Sequence, residues 1–476
     1  MDEQNRVTWV TTLCPAGVDM AAHWYQLFGV GANAVRYLHA LLAGQDVPAA
    51  FWIEVSACGN GYLRQEAVQQ LAQVHSPAAC SAILLRLNDW VPQVRHAAAD
   101  VVNAMLTACD IEWVIGGLPA LLRLLSMRRH SHAALKQRFD QMLCKEIWRD
   151  TVLQCLRGLT GASARYLTAL LLERLPPDER IDVISRALRH PDPSVQSMAI
   201  QAAASFSAPV QLHLLNVAKA LPAAGPRCMM MRRLLALLDG PARDALLESM
   251  LLDRFGGVRA IALWHLQQAG QTPAALYARI DPTQLHGHAL AAWLIEAGRA
   301  GLPVAADFLR QLSSHPLPGI RLAAWAIRLS QPSESRFAIA RQALLDPARK
   351  VRRAMARQIE AEAGFDCAQI SALAEVCLAA RDVPAAWWLG KTLSPWFRLL
   401  LLLEALAANA DTALHADVLT ALRQWERPSG WHVYIVPGTT ESERVRRLLD
   451  NQTVSAALGT MPLLNAAIRA RVALKQ

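Results

Sequence analysis

The sequence predicts an all-α chain built as a one-dimensional solenoid, and three observations carry that prediction. Ala and Leu recur at three- and four-residue spacing along nearly the whole chain. The breaks between these stretches are short and carry Pro, Gly, Asp or His. Recurring arginines also keep a register of 31 residues. Period-two alternation rich in Val, Ile and Thr is almost absent. A length of 476 residues would otherwise suggest three domains, but internal repetition voids that division.

The helices read most clearly between residues 178 and 240. Asp178 to Leu188 forms a first helix and Pro193 to Phe206 a second, separated by Arg189-His190-Pro191-Asp192; Pro191 and Pro193 break the helical pattern. Pro209 to Leu221 and Pro226 to Leu238 form the next pair, which stops at Gly240. The register follows an apolar residue and Arg: Leu63-Arg64, Val94-Arg95, Val258-Arg259, Ile320-Arg321 and Val351-Arg352. Intermediate steps land on Arg165, Gln196, Arg227 and Leu290. A small residue follows three positions later (Ala67, Ala98, Ala199, Ala262, Ala324), and an Asp precedes by six (Asp89, Asp253, Asp346). A helix pair this small cannot bury its apolar side alone, so neighbours must stack.

These residues resemble HEAT repeats, in which an Asp in the inter-helix turn and an Arg opening the second helix recur from unit to unit. The resemblance covers residues 31–425. It implies a right-handed α-solenoid of about 11–13 helix pairs, with residues 1–30 as an N-terminal cap and 426–476 as a small atypical C-terminal cap. The period is shorter than the usual HEAT range of about 40–47 and is similar to that of compact bacterial HEAT-like units, including relatives of the phycobilin lyases. Tetratricopeptide repeats are the structural rival, but their W-x2-L-G-x2-Y signature is missing.

A formal charge of +9, from 42 Arg against 6 Lys, invites an acidic partner only if the arginines are free. The resemblance implies that they are not. Asp89 with Arg95, Asp253 with Arg259 and Asp346 with Arg352 are expected to form a structural ladder through charge-assisted hydrogen bonds. Basic clusters outside the ladder, at Arg123 to Arg138, at Arg232-Arg233 and at Arg349, Lys350, Arg353 and Arg357, leave contact with nucleic acid open.

The second helix is expected to line the concave surface. Counted from the ladder site, positions +1, +5 and +8 share one stripe at about 100° per residue. This stripe supplies the candidate partner-binding residues Gln69, Asp100, Gln201, Arg232, Trp264, Arg353 and Arg357. It lacks the cation in every row that a DNA sheath needs, so a protein partner fits it better, with Trp and Arg as anchors.

No P-loop, GxGxxG after a strand, GxSxG or HExxH occurs, and the pairs His130/His132 and His286/His288 have no third metal ligand nearby in sequence. No catalytic residue, metal or cofactor is therefore expected, and the function expected is that of a non-enzymatic scaffold or adaptor. The alternative is a DNA-binding or DNA-glycosylase-like HEAT protein acting on alkylated bases, which Asp100 and Trp264 resemble in residue type only. The nine cysteines form no CxxC and read as reduced thiols, and the polar start MDEQNRVTWV lacks the form of a signal peptide. Leu399 to Leu403, the most apolar run, lies between Arg398 and Glu404, which argues against a membrane span. A cytoplasmic, bacterial protein is the expectation. In the tail, Trp431 to Val436 reads as a strand, and Thr440 with Glu443 as a capping box.

Overall fold

Proline at the first helical turn, preceded by a capping side chain, starts many of the helices. Asp192 accepts the Ser194 N–H at 2.8 Å before Pro193, Ser76 accepts the Ala79 N–H at 3.2 Å before Pro77, and Thr272 does the same for Ala275 before Pro273. The helices end as locally. Gly270 and Gly301, one repeat period apart, adopt φ values of 82° and 67°, which an L residue with a side chain rarely takes. The computed structural model describes residues 33–108, 111–127, 129–217, 221–331, 335–361, 364–390, 393–407, 412–426 and 437–473. Every regular element among them is helical.

The chain divides into two compact units, residues 1–239 and 240–476. In the first, the helix Asn33–Leu41 precedes six helix pairs, from Ala49–Val55 with Gly61–Leu71 to Ala208–Val217 with Ala224–Leu237. The second also holds six pairs, from Gly240–Leu251 with Gly256–Gln268 to Pro395–Ala407 with Thr412–Glu426. In each unit a helix packs on its partner and on the equivalent helix of the next pair, which is a solenoid-like arrangement.

The core follows from the register. Positions −1 and +3 are buried in six of the second helices: Leu63 and Ala67, Val94 and Ala98, Val195 and Ala199, Val258 and Ala262, Ile320 and Ala324, Val351 and Met355. Alanine at +3 lets backbones approach. One close approach lies between Pro77–Arg86 and Ile111–Leu125, where a Cβ on Gly117 would fall 2.5 Å from Cys80 Sγ and one on Gly116 would fall 2.7 Å from Pro77 Cβ.

The tail helices Thr439–Leu449, Gln452–Gly459 and Pro462–Ala473 bury Val445, Leu458 and Ile468 in one cluster with Leu399, Leu403 and Leu422 of the last pair. The first of them begins earlier than the Thr440/Glu443 box predicts. Glu441 accepts the Gly438 N–H at 2.7 Å, so the reciprocal carboxylate comes from the third residue of a helix that starts at Thr439. The strand expected at residues 431–436 and the N-terminal cap at 1–30 lie outside the described residues.

Candidate partner-binding face

An arginine at the start of a helix opposes the helix dipole and needs compensation. The ladder arginines find it in the turn just crossed and, for Arg64, Arg259, Arg321 and Arg352, also in a buried acid of the next repeat. One guanidinium nitrogen clamps the turn just crossed: Arg95 Nη1 donates to the carbonyls of Asp89 (2.9 Å) and Trp90 (3.2 Å), and Arg352 Nη1 to those of Asp346 (2.8 Å) and Pro347 (3.2 Å). Arg259 reaches the Asp253 carbonyl at 2.8 Å in the same way. In Arg64, Arg259, Arg321 and Arg352 the remaining nitrogens reach into the next repeat. Arg64 grips the Asp89 carboxylate through Nε and Nη2, both at 2.8 Å, and Arg321 grips Asp346 at 2.7 and 2.8 Å.

This corrects the expected pairing of Asp89 with Arg95, Asp253 with Arg259 and Asp346 with Arg352. Within those pairs the Asp gives only its backbone carbonyl. Its carboxylate accepts an N–H of its own turn, as from Val91 to Asp89 (3.0 Å), Phe255 to Asp253 (2.9 Å) and Ala348 to Asp346 (2.8 Å). For Asp89 and Asp346 the rest of the carboxylate receives the arginine of the preceding repeat. Arg352 continues to Asp382 at 3.0 Å, and Arg259 to Glu296 at 2.8 Å. Glu296 stands in the body of the helix Gly287–Arg299, because the turn of that repeat, with the short helix Pro282–Gln284, has no acid at the usual place.

These pairs are dry: Arg64, Arg259, Arg321 and Arg352 are buried, as are Asp89, Glu296, Asp346 and Asp382. Burial pushes the Asp89 carboxyl up, but the hydrogen bonds from Arg64 and the Val91 N–H outweigh it and hold the group below the ordinary carboxylate range. Asp346 is held down in the same way by Arg321. The indole of Trp90 covers Arg64, with its ring 4.0 Å from the guanidinium carbon.

At Gln196 the ladder becomes neutral. His190 takes the Asp position; its Nδ1 accepts the Asp192 N–H at 3.0 Å, so Nε2 carries the proton that reaches the Leu159 carbonyl at 3.1 Å. Gln196 replaces the arginine and donates to the His190 carbonyl at 2.7 Å.

Opposite the buried columns, the +5 position lies open in most repeats, although Leu170 is buried and Ala326 half-buried at the same place. Gln69, Asp100, Gln201 and Arg232 are exposed in the first unit, and Trp264 and Arg357 in the second. Trp264 is 58% exposed and stands edge-on to His265, with ring centroids 4.7 Å apart. Arg357 lies over the ring of Trp388 at 4.9 Å. Arg353 differs: its Nε donates to Asp382 at 3.1 Å, beside Arg352, so its charge is already paired within the scaffold. At +8 the stripe varies: Asn103, Ala204 and Gln267 are exposed, whereas Leu235 and Leu329 are buried.

The basic segment 123–138 is partly engaged. Lys136 pairs with Asp140 at 2.6 Å, Arg129 donates to the Asn88 carbonyl at 2.8 Å, and Arg138 bonds the Asn103 side chain. Arg128 lies outside the described residues. Burial, with His130 nearby, pushes the His132 imidazole below its ordinary value.

Little here is set up for covalent chemistry. Burial pushes the Cys58 thiol up to about 11 and Cys377 up to about 12, so neither is a thiolate near neutrality. Among the described residues no group of three His, Cys, Asp or Glu is placed to hold a metal, and no helix is long and apolar enough to cross a membrane. No family model matches the chain, and no curated protein matches it. Sequence reasoning missed Glu296 and Asp382 as ladder partners and Trp90 as the cover over Arg64. Their variable distance from the arginines left no repeating signal.

Proposed function

We propose that the protein is a non-enzymatic scaffold or adaptor that binds a protein partner through the exposed face of its second helices. The observation that carries this reading is a contrast within single helices. In Gly61–Leu71, Gly256–Gln268 and Arg349–Ala361 the ladder arginine is buried and committed to structure, whereas the +5 residue, Gln69, Trp264 or Arg357, is exposed. The repeats of Arg165 and Arg321 depart from this, with Leu170 buried and Ala326 half-buried at +5. Gln69, Asp100, Gln201 and Arg232 form the polar face of the first unit, and Trp264 and Arg357 are the anchors on the face of the second. Aromatic and Arg side chains of this kind dominate binding energy at protein interfaces.

Two further features support the reading. Four of the arginines behind the basic balance are neutralised by buried acids, which weakens the case for a polyanion. Asp100, the residue a base-excising enzyme would need, is exposed on its helix rather than set in a desolvated pocket.

The test is purification of the full chain from its native host, followed by mass spectrometry, together with a base-release assay on alkylated DNA. A stoichiometric protein companion and no base release are expected. Release that Asp100→Asn abolishes would replace the scaffold reading with the enzymatic one.

A further inference from the structure

One group of arginines in the first unit is left without a counterion. The helices Arg149–Leu156 and Pro177–Leu188 are the first helices of successive repeats and lie in contact. Beside their C-terminal ends is a pocket of about 260 Å³ lined by Leu153, Leu156, Arg157, Arg186 and Arg189. The two leucines are buried and form an apolar floor, and the three arginines are exposed around it. None of these arginines makes a hydrogen bond or ion pair with a described residue. Their neighbours are engaged: Arg149 pairs with Glu179 at 2.8 Å, Arg180 Nε donates to the Leu175 carbonyl at 2.6 Å, and Arg165 faces Asp192 at 3.5 Å.

The charge balance at this spot favours an anion. Two helix C-termini contribute about half a negative charge each. Three guanidiniums against them leave a net charge of about +2 at the pocket. Asp182, one turn before Arg186, is exposed and does not line it. Guanidinium groups match the oxygens of a phosphate in pairs, and three of them around an apolar floor suit a dianionic head on a small apolar body. The volume lies just below the usual range of drug-sized sites, about 300–1,000 Å³, so the body is small.

We propose that this pocket binds a phosphate monoester carried on a compact apolar group, supplied by a free small molecule or by a phosphorylated side chain. An extended nucleic-acid backbone fits less well. It would need a continued row of cations, and Glu173, Asp178 and Asp182 stand on the same two repeats. The site uses first helices only, so it stands independently of the second-helix face.

Calorimetric titration of the full chain with phenyl phosphate tests the proposal. Binding at one site is expected, with no binding of phenol, and affinity should fall at least tenfold in Arg186→Gln/Arg189→Gln. Because both side chains are exposed and unpaired, the thermal melt of that variant should match the parent; if it does not fold, Arg157→Gln serves instead. A phosphotyrosyl tripeptide binding tenfold tighter than phenyl phosphate would identify a protein side chain as the source, and equal affinity a free small molecule. The proposal is overturned if phenyl phosphate does not bind at millimolar concentration, if phenol binds equally, or if the variants bind like the parent. Duplex DNA that binds there with a steep salt dependence in preference to phenyl phosphate would also overturn it.

Discussion

Arg64 and Asp89 meet across two repeats as a bidentate pair, each nitrogen 2.8 Å from a carboxylate oxygen, with both side chains fully buried. The same arginine holds the carbonyls of Cys58 and Gly59, each at 2.9 Å, so one guanidinium fixes its own turn and the start of the next second helix. Buried pairs of this kind contribute little net stability compared with apolar packing, but breaking one leaves a charge stranded. Their structural use is to fix the register between repeats.

The arginines should therefore differ in cost. Arg64→Ala leaves the buried Asp89 only its longer contact with Arg86, at 3.4 Å, and the Val91 N–H, and should destabilise by about 3 kcal/mol. Arg95→Ala loses hydrogen bonds to two carbonyls and should cost only about 1 kcal/mol. Chemical denaturation of the two variants measures the difference; equal losses would show that the inter-repeat pair is not the dominant contact.

Acid should weaken the ladder before it weakens the apolar core. The folded-state values of Asp89 and Asp346 are depressed, so their contribution is present above the unfolded carboxylate value of about 3.9 and is lost as pH falls through the lower folded value. Stability should hold from neutrality to about pH 4 and fall below it. In Asp89→Asn that decline should be shallower, which thermal melts across pH 2–6 would reveal.

The neutral rung predicts a context effect. Gln196 is buried and has no acid ahead of it at the ladder offset, where Leu221 stands. Gln196→Arg, which restores the repeat's own consensus, should destabilise the fold by about 3 kcal/mol or more because the charge is buried unpaired. A variant as stable as the parent in urea would mean that the site admits water or a counterion.

The close helix approach gives a packing test. Gly117→Ala would bring a methyl group within 2.5 Å of Cys80 Sγ and 2.9 Å of Leu84 Cδ1, so the melt should show a loss of about 1–3 kcal/mol. Gly59→Ala, where nothing lies within 4 Å, is the control and should change little.

The helix pairs were legible because their signals are local. A proline or an N-capping side chain such as Asp192, the Leu63-Arg64 type of doublet and the alanine three residues later all sit at fixed offsets. The acid partners were not legible. Arg64 and Arg321 reach 25 residues ahead, Arg352 reaches 30 and Arg259 reaches 37, because the acid stands in the inter-helix turn for the first two, at the N-cap of the next second helix for Asp382 and in the body of the next second helix for Glu296. Sequence reasoning passed over Gly116-Gly117, although two glycines inside an apolar helix leave room for a close neighbour. On the candidate face, the +5 spacing predicted exposure for Trp264 and Arg357. The loss of Arg353 to Asp382 depended on a contact between elements that spacing cannot encode.

The most direct test of the functional account is the affinity of the co-purified partner for Trp264→Ala and Arg357→Ala. Each truncation removes a large exposed side chain, and each should weaken binding by about 2 kcal/mol, roughly thirtyfold, while the thermal melt moves little. Unchanged affinity in a folded double variant would contradict the account and place the binding surface away from the second-helix face.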